Sequence, residues 1–307
     1  MKNRIQPIHN FFLVVLMILF FRPVQAQDEA IVQENRNKPA RKAFASPVLI
    51  DNQTDVVNIA KTLEWNIQHR FGTVENGKSD LFGIFAPSNI RLGFSYTPIN
   101  RLAVGFGISK ITFSNPTIDL NAKFKILAQT QSNSIPVNVT YFGNLGVDTR
   151  NKDNFEKEVY RLSYFHELII SRRFGPKFSA QVAPMVAHFN SVDSLYSNDI
   201  FGASLGLKFS VSSQGSILFE WTQPINEHDV NTADLIVRKD AGPHPNIALG
   251  YEIVTSSHAF QIFFSTYRDL LPQNNLVYNP NSFTKEVGGE NKLGFLIGFN
   301  LTRLWNF

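Results

Sequence analysis

The sequence alternates between large apolar residues and polar or small residues, in segments about ten residues long, and the pattern recurs about twelve times. In segment 89–96 (NIRLGFSY), every even-numbered position is large and apolar, and every odd-numbered position is polar or glycine. A period of two places these two classes on opposite faces of a β-strand. Soluble strands typically have about 5–6 residues, whereas a tilted strand that crosses a bilayer needs about 9–11. The segment lengths therefore favour transmembrane strands.

The connections between these segments alternate between short and long. Short ones include 98–100 (PIN) and 174–177 (FGPK), and the longest are 226–245 and 269–290. In a meander of strands, alternate connections lie at opposite ends of the sheet. Outer-membrane barrels have short periplasmic turns and long extracellular loops. An even number of strands then places both chain ends on the side of the short turns.

Closure of the sheet follows from the membrane. An open sheet would leave backbone N–H and C=O groups unpaired in hydrocarbon, at a cost of several kcal/mol each. We therefore predict an all-β fold, an antiparallel up-and-down transmembrane β-barrel of about 12 strands (range 10–14), over residues 59–307. Its last strand, at 291–303, should pair with the first. The residues predicted at this closure and at the membrane interface are Phe299, Leu301, Trp305 and Phe307. Alternation alone also fits a soluble sandwich whose apolar face points inward.

The first 58 residues differ from the rest. Lys2 and Arg4 precede an apolar run at 11–21 that is too short to span a bilayer, and a small residue, Ala26, follows. This order is typical of a signal peptide over 1–26. Residues 27–58 are mostly polar, with one apolar patch (SPVLID), and are expected to form a periplasmic segment that lies partly in the lumen.

Composition excludes several classes of function. The signal peptide contains three of the 29 basic residues and none of the 25 acidic ones, so the mature chain is nearly neutral. Its basic residues are scattered among acids, whereas a nucleic-acid-binding protein clusters them on one face. The chain has no Cys, which excludes disulfides and thiolate chemistry. No cofactor, metal or catalytic residue is predicted.

Charged residues at the polar positions of the strands should line the lumen. Both signs occur, so these side chains can pair across the interior. The predicted lumen-lining residues are Glu64, Arg70, Arg91, Lys123, Lys125, Arg161, Glu167, Glu220 and Glu252. Two residues do not fit the pattern: Pro184 lacks a ladder donor, and His166 shares parity with lipid-facing residues. A β-bulge that shifts the register is the expected reason for both.

Two short motifs are interpreted as coincidental. Segment 72–79 (GTVENGKS) matches the phosphate-binding loop pattern, but that chemistry needs a buried parallel strand before it and a helix after it. Here a half-polar strand precedes the motif and two Gly or Pro breakers follow. Segment 166–170 (HELII) has only half of a zinc-protease motif, since the second His is absent.

Several segments resemble a known family. They are 67–72 (IQHRFG), 81–83 (LFG), 89–96 (NIRLGFSY), 101–107 (RLAVGFG) and 123–130 (KFKILAQT). In them the chain resembles a family of outer-membrane β-barrel proteins from Bacteroidetes-type bacteria, which is known as a domain of unknown function. The resemblance is clearest over about 44–145, and HRFG is its most specific element. It implies a fold and a location, and it implies no activity.

Together these observations predict a bacterial outer-membrane barrel that passes small solutes passively or with weak selectivity, or that has a structural role. Its expected partners are outer-membrane lipids and the assembly machinery that reads the C-terminal strand. Two alternatives stay open. One is a lipid-modifying enzyme in the barrel wall that uses His166 or His188. The other is a surface-binding module that acts through loops 226–245 and 269–290.

Overall fold

The computed structural model describes residues 38–110, 116–192, 196–225, 243–287 and 290–307. These residues form twelve long strands and one short hairpin. The strands are β1 (Thr62–Thr73), β2 (Asn89–Ile99), β3 (Leu102–Lys110), β4 (Thr117–Leu127), β5 (Asn138–Asp148), β6 (Leu162–Arg173), β7 (Phe178–Phe189), β8 (Asp199–Ser210), β9 (Gly215–Pro224), β10 (Asn246–Val254), β11 (His258–Ser265), β12 (Thr284–Val287), β13 (Glu290–Leu293) and β14 (Leu296–Asn306). Within the described ranges, the connections contain an α-helix, α1 (Pro272–Tyr278), and 3-10 turns at Val74–Asp80, Lys152–Asn154 and Glu158–Arg161.

Twelve of these strands close into a ring. Each of β1 to β11 pairs antiparallel with its neighbour in sequence, and β14 pairs with both β11 and β1. At the seam, Thr62 lies opposite Asn306 and Ile67 lies opposite Leu301. The hairpin β12–β13 stands outside the ring. The predicted antiparallel barrel of twelve strands is therefore confirmed, although its last strand starts at Leu296 because the preceding residues pair within that hairpin.

The two faces of the strands point as the membrane requires. In β1, Glu64, Asn66, Gln68 and Arg70 point inward and are buried. Outward side chains are apolar and accessible, as in Phe106, which is 47% exposed. A soluble sandwich would bury the apolar face, so that alternative is wrong. Among the helices in the described part of the chain, none has the length and hydropathy to cross a membrane.

The two ends of the barrel are unequal. One end, called here the short-turn end, carries connections such as 174–177 and 255–257, together with the start of β1 and the end of β14. The other, the long-loop end, carries the connections from β1 to β2 and from β11 to β14. The strand β5 begins only at Asn138, because residues 130–135 form a turn in which the Thr130 N–H donates to the Ile135 carbonyl (3.0 Å).

The expected bulge in β6 and β7 is absent from the structure. Glu167 lies opposite Met185, and Ile170 lies opposite Val182 in the same register. The missing N–H of Pro184 is accommodated without a register shift, since this residue lies opposite Ala203 in a regular pairing with β8. His166 therefore keeps its outward position, and its ring bonds to the Tyr141 hydroxyl (Nδ1–O 2.6 Å).

A charge placed on the outer face should destabilise the barrel according to depth. Ile262 is 51% exposed in the middle of β11. The substitution I262R should lower the free energy of unfolding by about 2–4 kcal/mol, because the charge enters hydrocarbon. Ile253, 45% exposed near the short-turn end of β10, is the matched control, and I253R should cost about 0–1 kcal/mol. Denaturant unfolding in lipid vesicles measures both. Equal costs would contradict the assigned membrane depth.

Candidate functional site in the barrel interior

Residues 43–58, called here the plug segment, lie inside the barrel although they contribute no strand to its wall. The preceding residues pair with the rim at the short-turn end, where the Ala40 N–H donates to the Gln129 carbonyl (2.7 Å). The segment then enters the lumen and turns, with the Leu49 N–H donating to the Asn52 carbonyl (2.9 Å). It returns to the same end, where β1 begins at Thr62. Both ends of the plug segment therefore lie at one end of the barrel.

The wall satisfies the carbonyl groups of the plug segment. Buried peptide groups need hydrogen-bond partners, and inward side chains from five strands donate to them. The pairs are Lys123 with the carbonyl of Pro47 (2.9 Å), Gln261 with Val48 (3.0 Å), Asn300 with Ile50 (2.8 Å), Gln181 with Gln53 (2.8 Å) and Thr140 with Asp55 (3.3 Å).

A single carboxylate satisfies the N–H groups at the turn. Glu220 Oε2 accepts from the backbone N–H of Ile50 (3.3 Å), Asp51 (3.2 Å) and Asn52 (3.0 Å). The Asn52 side chain also donates to the Thr222 hydroxyl (2.7 Å). Glu220 is fully buried, and three converging donors offset part of the cost of burying its charge.

Arg70 and Asp51 form the central ion pair between wall and plug segment. Their side chains are 1% and 2% exposed, and Arg70 Nη2 lies 2.8 Å from Asp51 Oδ1. The same guanidinium donates to the Ile50 carbonyl (3.1 Å) and lies over the Phe263 ring, 4.5 Å from its centroid. The other Asp51 oxygen accepts from the Ser265 hydroxyl (2.6 Å). A planar guanidinium suits this site because it bonds several acceptors at once.

A second ion pair lies on the returning part of the plug segment. Lys125 Nζ is 3.1 Å from Asp55 Oδ2, and the lysine side chain is 16% exposed. Closer to the short-turn end, Asn58 donates to Glu64 Oε2 (2.8 Å). Charged wall residues thus meet the plug segment at its tip, along its return and near its base.

Apolar contacts complete the seat of the plug segment. Its residues Phe44, Leu49 and Ile50 pack in one buried cluster against inward apolar residues of β9 to β11, namely Leu218, Ala248 and Phe263. Burying an aliphatic side chain of this size contributes about 1.5–3 kcal/mol. The apolar patch SPVLID therefore packs against the apolar residues of β9 to β11 in a wall that is otherwise mostly polar.

A second segment enters from the long-loop end. Residues 266–281, called here the inner loop, contain helix α1, whose Leu276 and Val277 are buried in a cluster with inward residues of β5 to β8. Gln273 donates to Asn144 Oδ1 (2.9 Å). Asp269 accepts from the N–H of Leu270 (2.6 Å), and burial raises the pKa of the Asp269 carboxyl. Much of the predicted surface loop 269–290 thus lies in the lumen, whereas most of 226–245 lies outside the described residues.

A polar cavity remains between the two segments and the wall of β1 to β5. Its space for the centres of water molecules is about 60 Å³, enough for a few waters, since one water needs roughly 10–15 Å³. Side chains of both charges line it, among them Glu64, Arg91 and Lys123, with Leu271 of the inner loop and Val48 of the plug segment. The space left in this part of the barrel interior is therefore polar and has room for a few water molecules.

The wall of this cavity contains an ion pair for which glycines make room. Arg91 Nε and Nη2 each lie 2.8 Å from an oxygen of Asp119, whose side chain is fully buried. A Cβ atom at Gly107 would lie 2.4 Å from Arg91 Nη2 and 2.5 Å from Asp119 Oδ2. At Gly93 it would lie 2.6 Å from Arg91 Nη1. The glycines of the NIRLGFSY and RLAVGFG segments thus provide space for this pair.

Most of the predicted lumen-lining residues share the barrel interior. The structure places eight of them at inward strand positions: Glu64, Arg70, Arg91, Lys123, Lys125, Glu167, Glu220 and Glu252. Arg161 differs. It lies in the 3-10 turn that precedes β6 and pairs with Glu158 (Nε–Oε2 3.1 Å), so it does not belong to a strand of the wall.

Sequence reasoning missed the acidic partners of these bases. Asp51 and Asp55 lie in a stretch without strand alternation. Asp119 shares the odd-numbered, inward positions of Lys123 and Lys125 in β4. The charge balance was the available signal, because inward basic residues in a low-dielectric barrel need acidic partners.

The predicted closure residues lie on the seam strand. Phe299 stacks on His69 with ring centroids 5.0 Å apart, and Leu301 lies opposite both Ile67 and Phe260. Trp305 packs under the Arg303 guanidinium (5.1 Å). The Phe307 N–H donates to the Lys61 carbonyl (3.1 Å), and the ring is 79% exposed.

The enzyme alternative gains no support from the geometry of the histidines. His166 bonds to Tyr141, and His188 bonds to Asp199 (2.8 Å) and Asn190 (3.1 Å). No group of three or more metal-ligating side chains occurs in the parts of the chain that the structure describes. Segment 74–80, within the phosphate-loop match, forms a 3-10 turn after an antiparallel strand.

Comparisons with known proteins identify the chain at the level of a family. Residues 44–305 match a family described as "Membrane bound beta barrel domain (DUF5777)". No curated protein matches the sequence.

Solved structures with a similar shape include outer-membrane channels. The COG4313 outer membrane channel from Pseudomonas putida F1 is 14% identical, with 81% of this chain and 97% of that chain covered and a TM-score of 0.49. The NanC porin is 9% identical, with 79% and 99% covered and a TM-score of 0.48. The KdgM porin is 7% identical, with 80% and 99% covered and a TM-score of 0.45. All three are distant similarities.

Breaking the Arg91–Asp119 pair from one side should destabilise the barrel. R91M leaves the buried Asp119 carboxylate unpaired, and removing one partner of a buried pair costs about 3–5 kcal/mol. The double variant R91M/D119L removes both charges and should recover most of that loss. Denaturant unfolding in vesicles measures both variants. If the double variant is as unstable as R91M, the unpaired charge is not the cause.

Proposed function

The chain belongs to the DUF5777 family of membrane-bound β-barrel domains, and we propose that it is a bacterial outer-membrane barrel that passes small solutes when its plug segment moves. The observation that carries this proposal is the separation of plug segment and wall. The ring of twelve strands is closed by backbone pairing without any contribution from residues 43–58. Displacing them would leave the wall intact around a polar lumen that the inner loop still partly occupies.

The chemistry of the plug contacts supports a reversible displacement. They are hydrogen bonds, two ion pairs and a small apolar cluster, all made by side chains of the wall. When the segment leaves, water can enter the lumen and hydrate Arg70, Lys125 and Glu220, which replaces their polar contacts with the plug segment. The cavity along β1 to β5 already provides a polar surface from the plug segment to the inner loop.

The proposed orientation follows from the two unequal ends. The short-turn end faces the periplasm, as in outer-membrane barrels generally. Residues preceding the plug segment then extend into the periplasm, which matches the pairing of Lys38 and Ala40 with the rim at that end. The outward apolar face contacts outer-membrane lipids, and β14 is the strand that the assembly machinery would bind.

A structural barrel with a permanently closed lumen is the second candidate. The small size of the cavity, about 60 Å³ for water centres, favours it. The two candidates differ in one property: a permanently closed barrel passes no ions even when the plug contacts are weakened.

Weakening the two ion pairs should open the lumen. In D51A/D55A, Arg70 and Lys125 lose their partners while the plug is seated, and an unpaired buried charge costs about 3–5 kcal/mol. The displaced state should become populated, and planar-bilayer recordings should show conductance steps that the wild type shows rarely. D148A, which removes an Asp paired with Arg150 on the accessible rim, is the control and should behave as the wild type.

The result that would contradict solute passage is specific. If D51A/D55A inserts, keeps the far-ultraviolet circular dichroism of the wild type and still passes no ions, the lumen does not open by plug displacement. The structural candidate would then be the better description of this protein.

A further inference from the structure

We propose that the lumen wall is a peptide-binding site, and that its ligand is a short acidic peptide with an apolar pair directly before its first acidic residue. This inference rests on the proposed function, because the wall becomes accessible only when the plug segment is displaced. The plug segment then acts as a resident copy of the ligand, and a solute peptide would compete with it for the same groups.

The wall recognises a backbone. Its side chains donate to the carbonyl groups of Pro47, Val48 and Ile50. Glu220 accepts from three successive N–H groups of the plug segment. An extended or turning peptide offers this combination of acceptors and donors at every residue. Once the plug segment leaves, the same side chains present the same pattern to the lumen. A peptide of any sequence would therefore satisfy part of the site.

The same carboxylate argues against polyanionic ligands. A phosphate or uronate group has no backbone N–H to donate to Glu220, which is fully buried at the tip of the plug segment and accepts from three N–H groups there. Backbone N–H groups meet that carboxylate with positive dipoles instead. Asn246 donates both to Glu220 Oε1 (3.2 Å) and to Asp51 Oδ2 (3.2 Å), and Asp51 is the acid that Arg70 binds. The site thus selects a ligand with N–H donors next to an acid.

Side-chain preference comes from two ion pairs and one apolar area. Arg70 binds the Asp51 carboxylate at 2.8 Å, and Lys125 binds Asp55 at 3.1 Å. Leu49 and Ile50, directly before the first acid, pack on the apolar wall of Leu218, Ala248 and Phe263. A matching ligand therefore has two neighbouring apolar residues, an acid after them and a second acid four residues later.

The experiment uses a capped peptide with the sequence of residues 46–56, SPVLIDNQTDV, as the probe. The receptor is the full-length D51A/D55A variant in detergent, whose plug segment competes weakly. Binding of the labelled probe is measured by fluorescence anisotropy. We expect saturable binding, at least tenfold tighter than that of a peptide with both Asp residues replaced by Asn.

A wall variant tests whether the probe occupies the predicted site. K125Q, added to D51A/D55A, should weaken binding of the probe but leave binding of a probe carrying D55N unchanged, because that peptide no longer uses Lys125. If D51A/D55A does not fold, L49A/I50A loosens the apolar contacts of the plug instead and serves as the receptor. Equal affinity for the probe and a scrambled peptide would overturn the proposal.

Conductance separates this inference from the proposed function. If D51A/D55A conducts ions and the probe neither binds nor blocks the current, the peptide site is wrong and solute passage stands. If the probe binds in detergent but the variant passes no ions, the site stands and solute passage is wrong. Block of the current by the acidic probe, and not by its Asn counterpart, supports both.

Discussion

Peptide groups surrounded by hydrocarbon have no water to bond to. This constraint determines both how the wall closes and how the plug segment is bound inside it. At the level of the wall, every strand must have two neighbours, so β14 returns to β1 and the sheet becomes a ring. At the level of the interior, the plug segment brings its own peptide groups into a confined space. There the partners are side chains, because strands that already pair with each other have no free backbone groups to offer.

The interior therefore has to be polar, and its charges have to be matched. Bases of the wall meet acids of the wall, as in Arg91 with Asp119, or acids of the plug segment, as in Arg70 with Asp51. Size is matched as well. Gly93 and Gly107 leave space for the Arg91 guanidinium, and a side chain at either position would fill that space. Pairing of this kind adds little net stability but makes the loss of one partner costly. The space that the Arg91–Asp119 pair needs explains why glycines occupy positions 93 and 107.

The sequence was sufficient for the wall and insufficient for its contents. Alternation defines the facing of each strand locally, so the ring, the inward position of Glu64 or Glu220 and the unequal ends follow from it. The seat of Leu49 and Ile50 depends instead on apolar wall residues about 170 or more positions away, and no local pattern encodes that match. The position of helix α1 in the lumen could not be predicted from the sequence for the same reason. The bulge predicted from Pro184 and His166 is wrong, because the strand ladder accommodates both residues without a register shift.

The hairpin course of the plug segment has a consequence for biogenesis. Because this segment both enters and leaves at the short-turn end, it can be inserted into a finished ring or enclosed by a closing one, and neither route requires threading a chain terminus through the barrel. It is also made before any strand, while its partners Gln261, Ser265 and Asn300 are made near the end of synthesis. The plug segment can therefore complete its contacts with the wall only after the last strands have been made.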